Sequence, residues 1–233
     1  MPQTETIHLH PTTDLAERVL LPGDPGRALM LAQLLIEKPL MFNHHRGLWG
    51  YTGIAHADGE LLTVQSTGMG GPSAAIVLHE LTLLGAKRAI RVGTCGALNG
   101  TLHLGDLVIA GEAIAADGTS RALGPGERAA GDADLTQALA HTHGTEPRTV
   151  ASTDLFYEPD ARREADWRAA GAVAVEMEAA ALLAVGRTLK IPVACVLAVS
   201  DVLHPQRTRI AERQLEESAQ AMGRLALAAL SPS

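Results

Sequence analysis

Short apolar runs alternate with amphipathic segments along this chain. Residues 18–21, 89–92 and 192–199 are mostly apolar runs, of a length typical of strands covered on both faces. Longer segments favour helices, at residues 26–35, 73–84, 134–143, 179–188 and 210–230. This alternation predicts an α/β fold. We expect residues 1–233 to form a single-domain three-layer structure, in which a central mixed β-sheet is flanked by helices.

The remaining segments extend the predicted sheet. A meander of strands is predicted at residues 37–42, 48–57 and 60–66, and further strands at 107–110, 148–152 and 173–175. Residues 1–17 favour an extended arm, and residues 116–131 a mobile loop. We interpret Gly93-Thr94-Cys95-Gly96 as a turn that lets the backbone approach a ligand.

Composition narrows the class of protein. Apolar residues make up 46% of the chain and aromatic residues only 3%, so the core must consist of Ala, Val, Leu and Ile. The net charge of −7 argues against a nucleic-acid-binding surface, which needs a basic face. The two cysteines match no metal-binding spacing and imply no disulfide framework. Since no apolar stretch approaches the roughly 18 residues of a membrane helix, we expect a soluble cytoplasmic protein without a membrane or nucleic-acid partner.

Arg91 interrupts the apolar run at residues 89–92. Arginine is almost never fully buried without a partner, because an isolated buried cation costs several kcal/mol. We therefore expect Arg91 to meet a carboxylate or an anionic ligand, or to stand at the exposed end of its strand. Thr94 offers a hydroxyl group nearby. The stretch predicts an oxyanion pocket at the carboxyl end of a central strand.

Two more arginines stand next to turns. Arg27 lies in the first turn of the helix that follows Gly23-Asp24-Pro25, where free N–H groups and the helix dipole favour an anion. Arg46 lies in a turn between two strands of the meander. A phosphate group needs several convergent donors, so three such arginines beside glycine turns suit a phosphate site.

Three carboxylates stand where strands end. Glu176 and Glu178 precede a helix, where a carboxylate either stabilises the helix N-terminus or accepts hydrogen bonds from a vicinal diol such as a ribose. Ser200-Asp201 follows a buried strand at the sheet edge where ligands of open α/β sheets bind. A partly desolvated carboxyl group there can act as a general acid, or simply cap a helix. Phe156 and Tyr157 are adjacent aromatic residues in a predicted loop, where they either form a stacking wall for a planar ligand or simply pack the loop.

A series of motifs runs through nearly the whole chain and resembles that of the nucleoside phosphorylase-I family, above all its bacterial hexameric purine members. The motifs are Leu21-Pro22-Gly23-Asp24-Pro25 with Arg27, Arg46-Gly47 before Gly50-Tyr51-Thr52-Gly53, Gly68-Met69-Gly70, Arg91-Val92-Gly93-Thr94-Cys95-Gly96-Ala97, Asp154-Leu155-Phe156-Tyr157, Val175-Glu176-Met177-Glu178-Ala179-Ala180 and Ser200-Asp201.

The resemblance implies a pentosyltransferase of purine salvage. Such an enzyme converts a purine (deoxy)ribonucleoside and phosphate reversibly into the free base and (deoxy)ribose 1-phosphate. Phosphate is a co-substrate, and neither a metal nor another cofactor is implied. The resemblance also implies a homohexamer, a trimer of dimers whose active sites are shared between subunits.

The resemblance assigns roles to individual positions. Asp201 would protonate purine N7, and Arg213 would assist it. The remaining roles are phosphate binding by Gly23, Arg27, Arg91 and Thr94, and by Arg46 of a neighbouring subunit; ribose binding by Met69, Glu176, Met177 and Glu178, and by His8 of the neighbour; and base binding by Phe156, Val175, Ser200 and Asp201.

The chain departs from the family pattern in three places. Thr94 stands where serine is frequent and keeps the hydroxyl group. The segment after Asp201 is one residue short, which leaves Arg207 or Arg209 as alternatives to Arg213. The N-terminal arm is also one residue short, which leaves His10 as an alternative to His8.

Other functions remain open at this point. Uridine phosphorylase shares the phosphate and ribose parts, but its pattern has a glutamine and an arginine after the Phe-Tyr pair, where this chain has Asp160 and Arg162. Methylthioadenosine phosphorylase would need an apolar pocket for the 5′-substituent. A non-catalytic nucleoside-binding module would be expected to lack Asp201 or one of the arginines, and all are present.

Overall fold

The structure is a computed structural model that describes residues 6–124 and 126–231. These residues form one eleven-stranded sheet of parallel and antiparallel strands, which confirms the predicted α/β fold with a central mixed sheet. The strands are Arg18–Leu21 (β1), Ile36–Asn43 (β2), Gly50–Ala55 (β3), Leu61–Gln65 (β4), Arg88–Ala97 (β5), Leu107–Ala115 (β6), Arg128–Ala130 (β7), Arg148–Ser152 (β8), Ala174–Glu176 (β9), Val193–Val202 (β10) and Thr208–Arg209 (β11).

Helices cover both faces of the sheet and complete the three layers. Their bounds are Pro25–Leu35 (α1), Gly71–Leu84 (α2), Gly118–Leu123 (α3), Ala133–His143 (α4), Ala161–Ala169 (α5), Ala179–Leu189 (α6) and Glu212–Leu230 (α7). Helices α2 and α6 pack against one face in a cluster of buried apolar side chains. Helices α1, α4 and α7 pack against the other face in a second cluster. No helix within the described residues is long and apolar enough to cross a membrane.

Strand β5 changes its neighbour at the point where Arg91 lies. Its first residues pair with β1 as far as Arg91, which lies opposite Leu21, while Gly96 and Ala97 pair with β9. Strand β10 runs parallel to β5 along the other side. Because β9 pairs with β8, β8 with β6 and β6 with β10, this part of the sheet closes into a small barrel. The sheet is therefore open beside the middle of β5, where β1 has ended and β9 has not begun.

The turn predicted at Gly93-Thr94-Cys95-Gly96 is wrong, because β5 continues through it to Ala97. Pairing with β10 holds this stretch extended. A Cβ atom on Gly93 would lie 2.6 Å from Nη2 of Arg91, so a side chain at this position would collide with the guanidinium group. Gly93 thus gives Arg91 room to fold back along its own strand.

Two other predictions change in detail. The segment predicted as a loop at 116–131 contains α3, which Asp117 caps by accepting a hydrogen bond from the backbone of Ser120, and β7, which pairs with β6. Helix α5 and strand β11 were not predicted at all. Residues 1–5 of the predicted arm lie outside the described residues; the rest is held by the fully buried Leu9 and by the N–H of Thr12, which donates to the carbonyl of Phe42.

Candidate active site

A cavity of about 850 Å³ opens at the carboxyl ends of the parallel strands β1, β4, β5 and β10. This is the edge at which α/β sheets bind ligands. The cavity contains twelve of the residues predicted for the site: Gly23, Arg27, Met69, Arg91, Thr94, Phe156, Val175, Glu176, Met177, Glu178, Ser200 and Asp201. Predicted residues from six separate segments of the chain are therefore brought together.

Arg91 lies at the buried side of this cavity between two carboxylates. Its side chain is 3% exposed, its Nε donates to Glu176 over 3.1 Å, and its Nη2 donates to Glu178. The two carboxylates raise the pKa of Arg91 against the effect of burial, which alone would lower it. The third nitrogen, Nη1, is buried and has no hydrogen-bond partner among the described residues. Since an unpaired buried donor is costly, this nitrogen is suited to a ligand.

The free nitrogen of Arg91 lies close to the β1–α1 turn. A Cβ atom on Gly23 would come to 4.0 Å from Nη1, so the backbone of this turn closely approaches the guanidinium group. Arg27 is near enough for its pKa to be lowered, first by burial and then, after the opposing effect of Asp24, by the charge of Arg91. Two neighbouring cations that share a cavity favour an anion between them.

Asp24 modifies the prediction for the helix N-terminus. Its carboxylate caps α1 and accepts a hydrogen bond of 2.7 Å from the backbone N–H of Arg27. One of the N–H groups that we expected to bind an anion is therefore already used by the chain itself. The cationic end of the cavity, which we define as Gly23, Arg27, Arg91 and Thr94, depends mainly on its guanidinium groups.

Glu176 and Glu178 have different surroundings. Glu176 accepts hydrogen bonds from Arg91, from the hydroxyl of Ser152 and from the backbone of Glu178 and Ala179. Burial raises the pKa of Glu176 in spite of its contact with Arg91. With both oxygens occupied by the protein, Glu176 braces Arg91 and the start of α6. It is thus poorly placed for the ribose contact that we predicted.

Glu178 has fewer partners within the protein. It accepts hydrogen bonds from the N–H of Gly70, at the start of α2, and from Arg91. A carboxylate oxygen can accept two hydrogen bonds, so Glu178 retains acceptor capacity towards the cavity. Gly70 has φ 85°, a left-handed conformation that favours glycine and that points its N–H towards Glu178.

Asp201 lies inside β10, just after a bulge between Val199 and Asp201. It is 5% exposed, and its Oδ1 accepts a hydrogen bond of 3.0 Å from Nε of Arg207 and lies 3.5 Å from Nε of Arg209. The hydroxyl of Ser200 donates to Oδ2 over 2.8 Å. Asp201 is thus a largely buried carboxylate in the cavity wall with two arginines beside it.

Arg213, predicted to assist Asp201, does not contact it in this structure. It lies in the first turn of α7, is exposed, and donates to Glu217 over 3.1 Å. The alternatives named from the sequence, Arg207 and Arg209, are the arginines that reach Asp201. The guanidinium of Arg207 also lies 4.8 Å from the ring centre of Phe156, so this arginine bridges the acid and an aromatic side chain.

One part of the cavity lining is formed by aromatic and other apolar side chains. We call it the aromatic end and define it by Phe156, Tyr157, Trp167 and Leu203. Phe156 is 54% exposed and meets Tyr157 edge-to-face, with ring centres 5.1 Å apart. Exposed rings in a cavity wall offer stacking surface to a planar ligand.

Cys95 also faces the cavity but is a poor nucleophile. Burial raises the pKa of its thiol, and Cys195, which pairs in register with Arg91 in the neighbouring strand, has its pKa raised for the same reason. Only the thiolate reacts readily, so both thiols are inert at neutral pH. Within the described residues no cluster of three or more His, Cys, Asp or Glu is arranged to hold a metal ion.

Arg46 and His8, which were predicted to act from a neighbouring subunit, lie outside this cavity, and so does His10, the alternative to His8. Arg46 is exposed in a short turn of 3-10 helix at His45–Gly47, and His8 bonds through Nδ1 to Glu80 over 2.7 Å. His10 stacks on His45 with ring centres 3.9 Å apart. All three therefore lie on one outer surface formed by the arm and the turn before β3.

Sequence reasoning missed two parts of the site. Ser152 joins β8 to α6, because its hydroxyl donates to Glu176 and accepts from the N–H of Ala180 over 2.8 Å. Its position at the carboxyl end of a strand is the signal that could have identified it. Helix α5, which contributes Glu164 and Trp167 to the cavity, was missed although Asp160 is a recognisable N-cap residue.

Comparison with known proteins agrees with this geometry. The sequence model of the phosphorylase superfamily matches residues 17–231 of this chain. The chain therefore belongs to that superfamily. Among similar proteins is the DeoD-type purine nucleoside phosphorylase of Geobacillus kaustophilus, 36% identical over 220 residues, which cover 90% of this chain and 92% of that protein.

Further relatives carry the same description. The DeoD-type purine nucleoside phosphorylase of Caldanaerobacter subterraneus is 38% identical over 210 residues, 86% of this chain and 90% of that protein. The protein of that description from Lactococcus lactis subsp. cremoris is 38% identical over 212 residues, 87% of this chain and 88% of its own length. The similarity therefore extends over nearly the whole of each protein.

Proposed function

We propose that this protein is a purine nucleoside phosphorylase, which converts a purine (deoxy)ribonucleoside and phosphate into the free base and (deoxy)ribose 1-phosphate. One observation carries the proposal: Arg91, whose buried Nη1 has no partner among the described residues, lines the same cavity as the buried carboxylate of Asp201. An anion site and an acid facing one cavity suit the attack of phosphate on a sugar and the departure of a base. The descriptions of the relatives support this reaction.

Phosphate binds at the cationic end. Arg91 donates from Nη1, Arg27 adds a second charge, and the hydroxyl of Thr94 a further donor. The backbone of Gly23 lies close enough to contact the anion that Arg91 holds. One phosphate oxygen then forms a bond to C1′ of the ribose while the bond from C1′ to N9 of the base breaks.

The ribose is held between the two ends of the cavity. Glu178 accepts hydrogen bonds from the 2′- and 3′-hydroxyl groups, and Met69 and Met177 cover the ring. Glu176 supports this arrangement from behind by fixing Arg91 and the start of α6. This assignment replaces the direct ribose contact predicted for Glu176.

Asp201 makes the base a better leaving group. Phe156 and Val175 hold the purine, with Ser200 beside the acid, and Asp201 gives its proton to N7 so that the base leaves neutral. Arg207 stabilises the carboxylate that remains after the transfer, since it already lies 3.0 Å from Oδ1. Arg207 takes the supporting role that was predicted for Arg213.

The site is completed by a second subunit. His8 and Arg46 lie outside the cavity of their own chain and are proposed to reach the ribose and the phosphate of a neighbour. The same outer surface exposes apolar side chains, with Ile7 74%, Leu40 60% and Trp49 39% exposed. Such a patch fits burial against another copy, in a homohexamer of three dimers. We propose that this assembly acts in the cytoplasm in purine salvage, with phosphate as co-substrate and no other cofactor.

The position of Arg162 favours a purine over uridine. Its side chain is 88% exposed and pairs with Asp160 outside the cavity lining, so this pair is not placed to read a pyrimidine. Methylthioadenosine remains a second candidate substrate. The wall that contains Met69 and Met177 is apolar enough to accept a 5′-methylthio group.

A panel of substrates tests the proposal. Inosine, adenosine, methylthioadenosine and uridine are incubated with the enzyme, with and without phosphate, and base and sugar phosphate are quantified. We expect purine release only with phosphate, and an Asp201→Asn variant that is slowed by about 10²–10⁴-fold while still binding phosphate. Rapid cleavage in phosphate-free buffer would indicate a hydrolase, and full activity of the variant would exclude Asp201 as the acid.

A further inference from the structure

Glu164 places a carboxylate in the aromatic end of the cavity. It lies on α5 three residues before Trp167, so both side chains project from one face of the helix, and both line the cavity. Leu203 and Phe156 are apolar residues of the same cavity lining. A carboxylate among such residues stands out as a hydrogen-bond acceptor for a ligand.

One of the two oxygens of Glu164 is paired within the described residues. Oε2 of Glu164 pairs with Nε2 of His204 at 2.9 Å, and the side chain is 27% exposed. Oε1 accepts no hydrogen bond from any residue that the structure describes. His204 therefore fixes the carboxylate and leaves one oxygen available to a ligand.

Other carboxylates of the cavity wall are committed to protein donors. Glu158 accepts from Arg163 over 3.0 Å and from the N–H of Asp160 over 3.1 Å. Asp201 has its donors in Ser200 and Arg207. At the end of the cavity that would hold the base, Glu164 is the carboxylate with a free acceptor among those described.

We propose that Glu164 recognises an exocyclic amino group of the purine and makes the enzyme selective for aminopurine nucleosides. This inference rests on the proposed function and assigns its substrate class. A carboxylate only accepts hydrogen bonds, so an amino group at C6 or C2 pairs with it, whereas a carbonyl oxygen in the same place is repelled. A site that hydrogen-bonds a substrate amino group discriminates against the analogue without that donor, because the acceptor is then left unpaired in the complex.

Two substrate pairs test the inference, each differing by one amino group. Adenosine is compared with purine riboside, which lacks the 6-amino group, and guanosine with inosine, which lacks the 2-amino group. For each pair we take the ratio of kcat/KM with the amino-bearing nucleoside to kcat/KM with the nucleoside that lacks the amino group. For one pair, we expect this ratio to be about ten- to a hundredfold higher in the wild-type enzyme than in Glu164→Ala. The pair that responds shows which amino group is recognised.

The matched control is Asp166→Ala, which removes an exposed carboxylate from the same helix. It should retain the wild-type ratios, and circular dichroism and Tm should show that both variants are folded. Binding of free adenine and of unsubstituted purine, measured by calorimetry, gives a readout without turnover, and Glu164→Ala should reduce the difference in affinity between the two.

The possible results separate this inference from the proposed function. If the wild-type enzyme forms sugar phosphate from all four nucleosides but both ratios are unchanged in Glu164→Ala, the inference is overturned and the proposed function stands. A wild-type enzyme without preference for either amino-bearing nucleoside overturns it too. If no purine nucleoside yields a sugar phosphate, the proposed function itself fails.

Discussion

Two arginines lie buried in neighbouring apolar strands, and they differ in how completely the protein pairs them. Arg18, 4% exposed at the start of β1, has donors engaged at all three nitrogens. Nε donates to the carbonyl of Leu61, both terminal nitrogens donate to Asp58, and Nη2 also donates to the carbonyl of Glu60. Such a fully paired buried arginine is explained by structure alone.

Arg91 is equally buried but incompletely paired. Glu176 and Glu178 take two of its nitrogens, and Nη1 is left without a partner next to a cavity. An unmade hydrogen bond of a buried group costs about 1–3 kcal/mol, which a folded protein tolerates where a ligand supplies the partner. The comparison teaches that burial of an arginine alone does not indicate a binding site, whereas a buried arginine that lines a cavity and keeps an unpaired nitrogen is a candidate for one.

Removal of Arg91 should have the largest effect on activity. Arg91→Met should lower kcat/KM for phosphate by about 10²–10³-fold, because a charged donor to the nucleophile is lost. Steady-state kinetics with phosphate as the varied substrate measures this change in kcat/KM. Since this variant leaves Glu176 and Glu178 without their cation, Arg91→Lys is tested beside it, and circular dichroism must show native folds. Unchanged phosphate kinetics in a folded variant would refute the role of Arg91.

Removal of the ion pair between Arg18 and Asp58 should instead lower the free energy of unfolding. Asp58→Ala leaves Arg18 buried without a carboxylate partner, and breaking a buried ion pair costs about 3–5 kcal/mol, towards the lower end here because the Asp58 side chain is 17% exposed. Urea unfolding measures the loss, and kcat and KM of the folded enzyme should stay within about twofold of the wild-type values. A large rise in KM for phosphate would show that the two arginines do not differ as described.

Substitution of Arg207, which contacts Asp201, and of Arg213, which does not, should give a smaller difference in activity. Arg207→Gln should lower kcat by about tenfold, as loss of one charged hydrogen bond to Asp201 costs of the order of 1.5 kcal/mol. Arg213→Gln is the matched control and should change kcat by less than about twofold, because Arg213 contacts Glu217 instead. The reverse order would show that α7 moves towards Asp201 during the reaction.

The smallest expected effect is a pH dependence of stability. The Arg18 guanidinium holds the pKa of Asp58 well below its usual range. A carboxyl group whose pKa is lowered by folding stabilises the protein above its unfolded pKa of about 3.9, and that contribution is lost as the pH falls below this value. Thermal unfolding between pH 6 and pH 3 should therefore show a steeper loss of Tm for the wild-type protein than for Asp58→Asn. Parallel curves would exclude this role of Asp58.

Much of the fold could be predicted from the sequence because its signals are local. Strands β1 and β8 have the predicted bounds, and the N-terminal boundary of α2 follows from Pro72. The run at residues 93–96 was misjudged because glycine permits a turn but does not require one. Here the glycine accommodates the side chain of Arg91, which depends on packing between strands that no local pattern shows.

The candidate site was predictable in its residues but not in its pairing. Arg91, Glu176 and Glu178 were named from their types and positions, yet only the structure shows that Glu176 has both oxygens occupied and that Nη1 of Arg91 has no partner among the described residues. Ser152 and Glu164 were missed, because their hydrogen bonds join segments that are far apart in the sequence.

The most direct test of the central claim follows the oxygen atoms of phosphate. A purine nucleoside is incubated with the enzyme and phosphate in which all four oxygens are ¹⁸O, and the sugar product is analysed by mass spectrometry. Attack by phosphate held at Arg91 predicts a ribose 1-phosphate that retains all four labelled oxygens, and no cleavage without phosphate. Free ribose, or a sugar phosphate with an unlabelled bridging oxygen, would contradict the account.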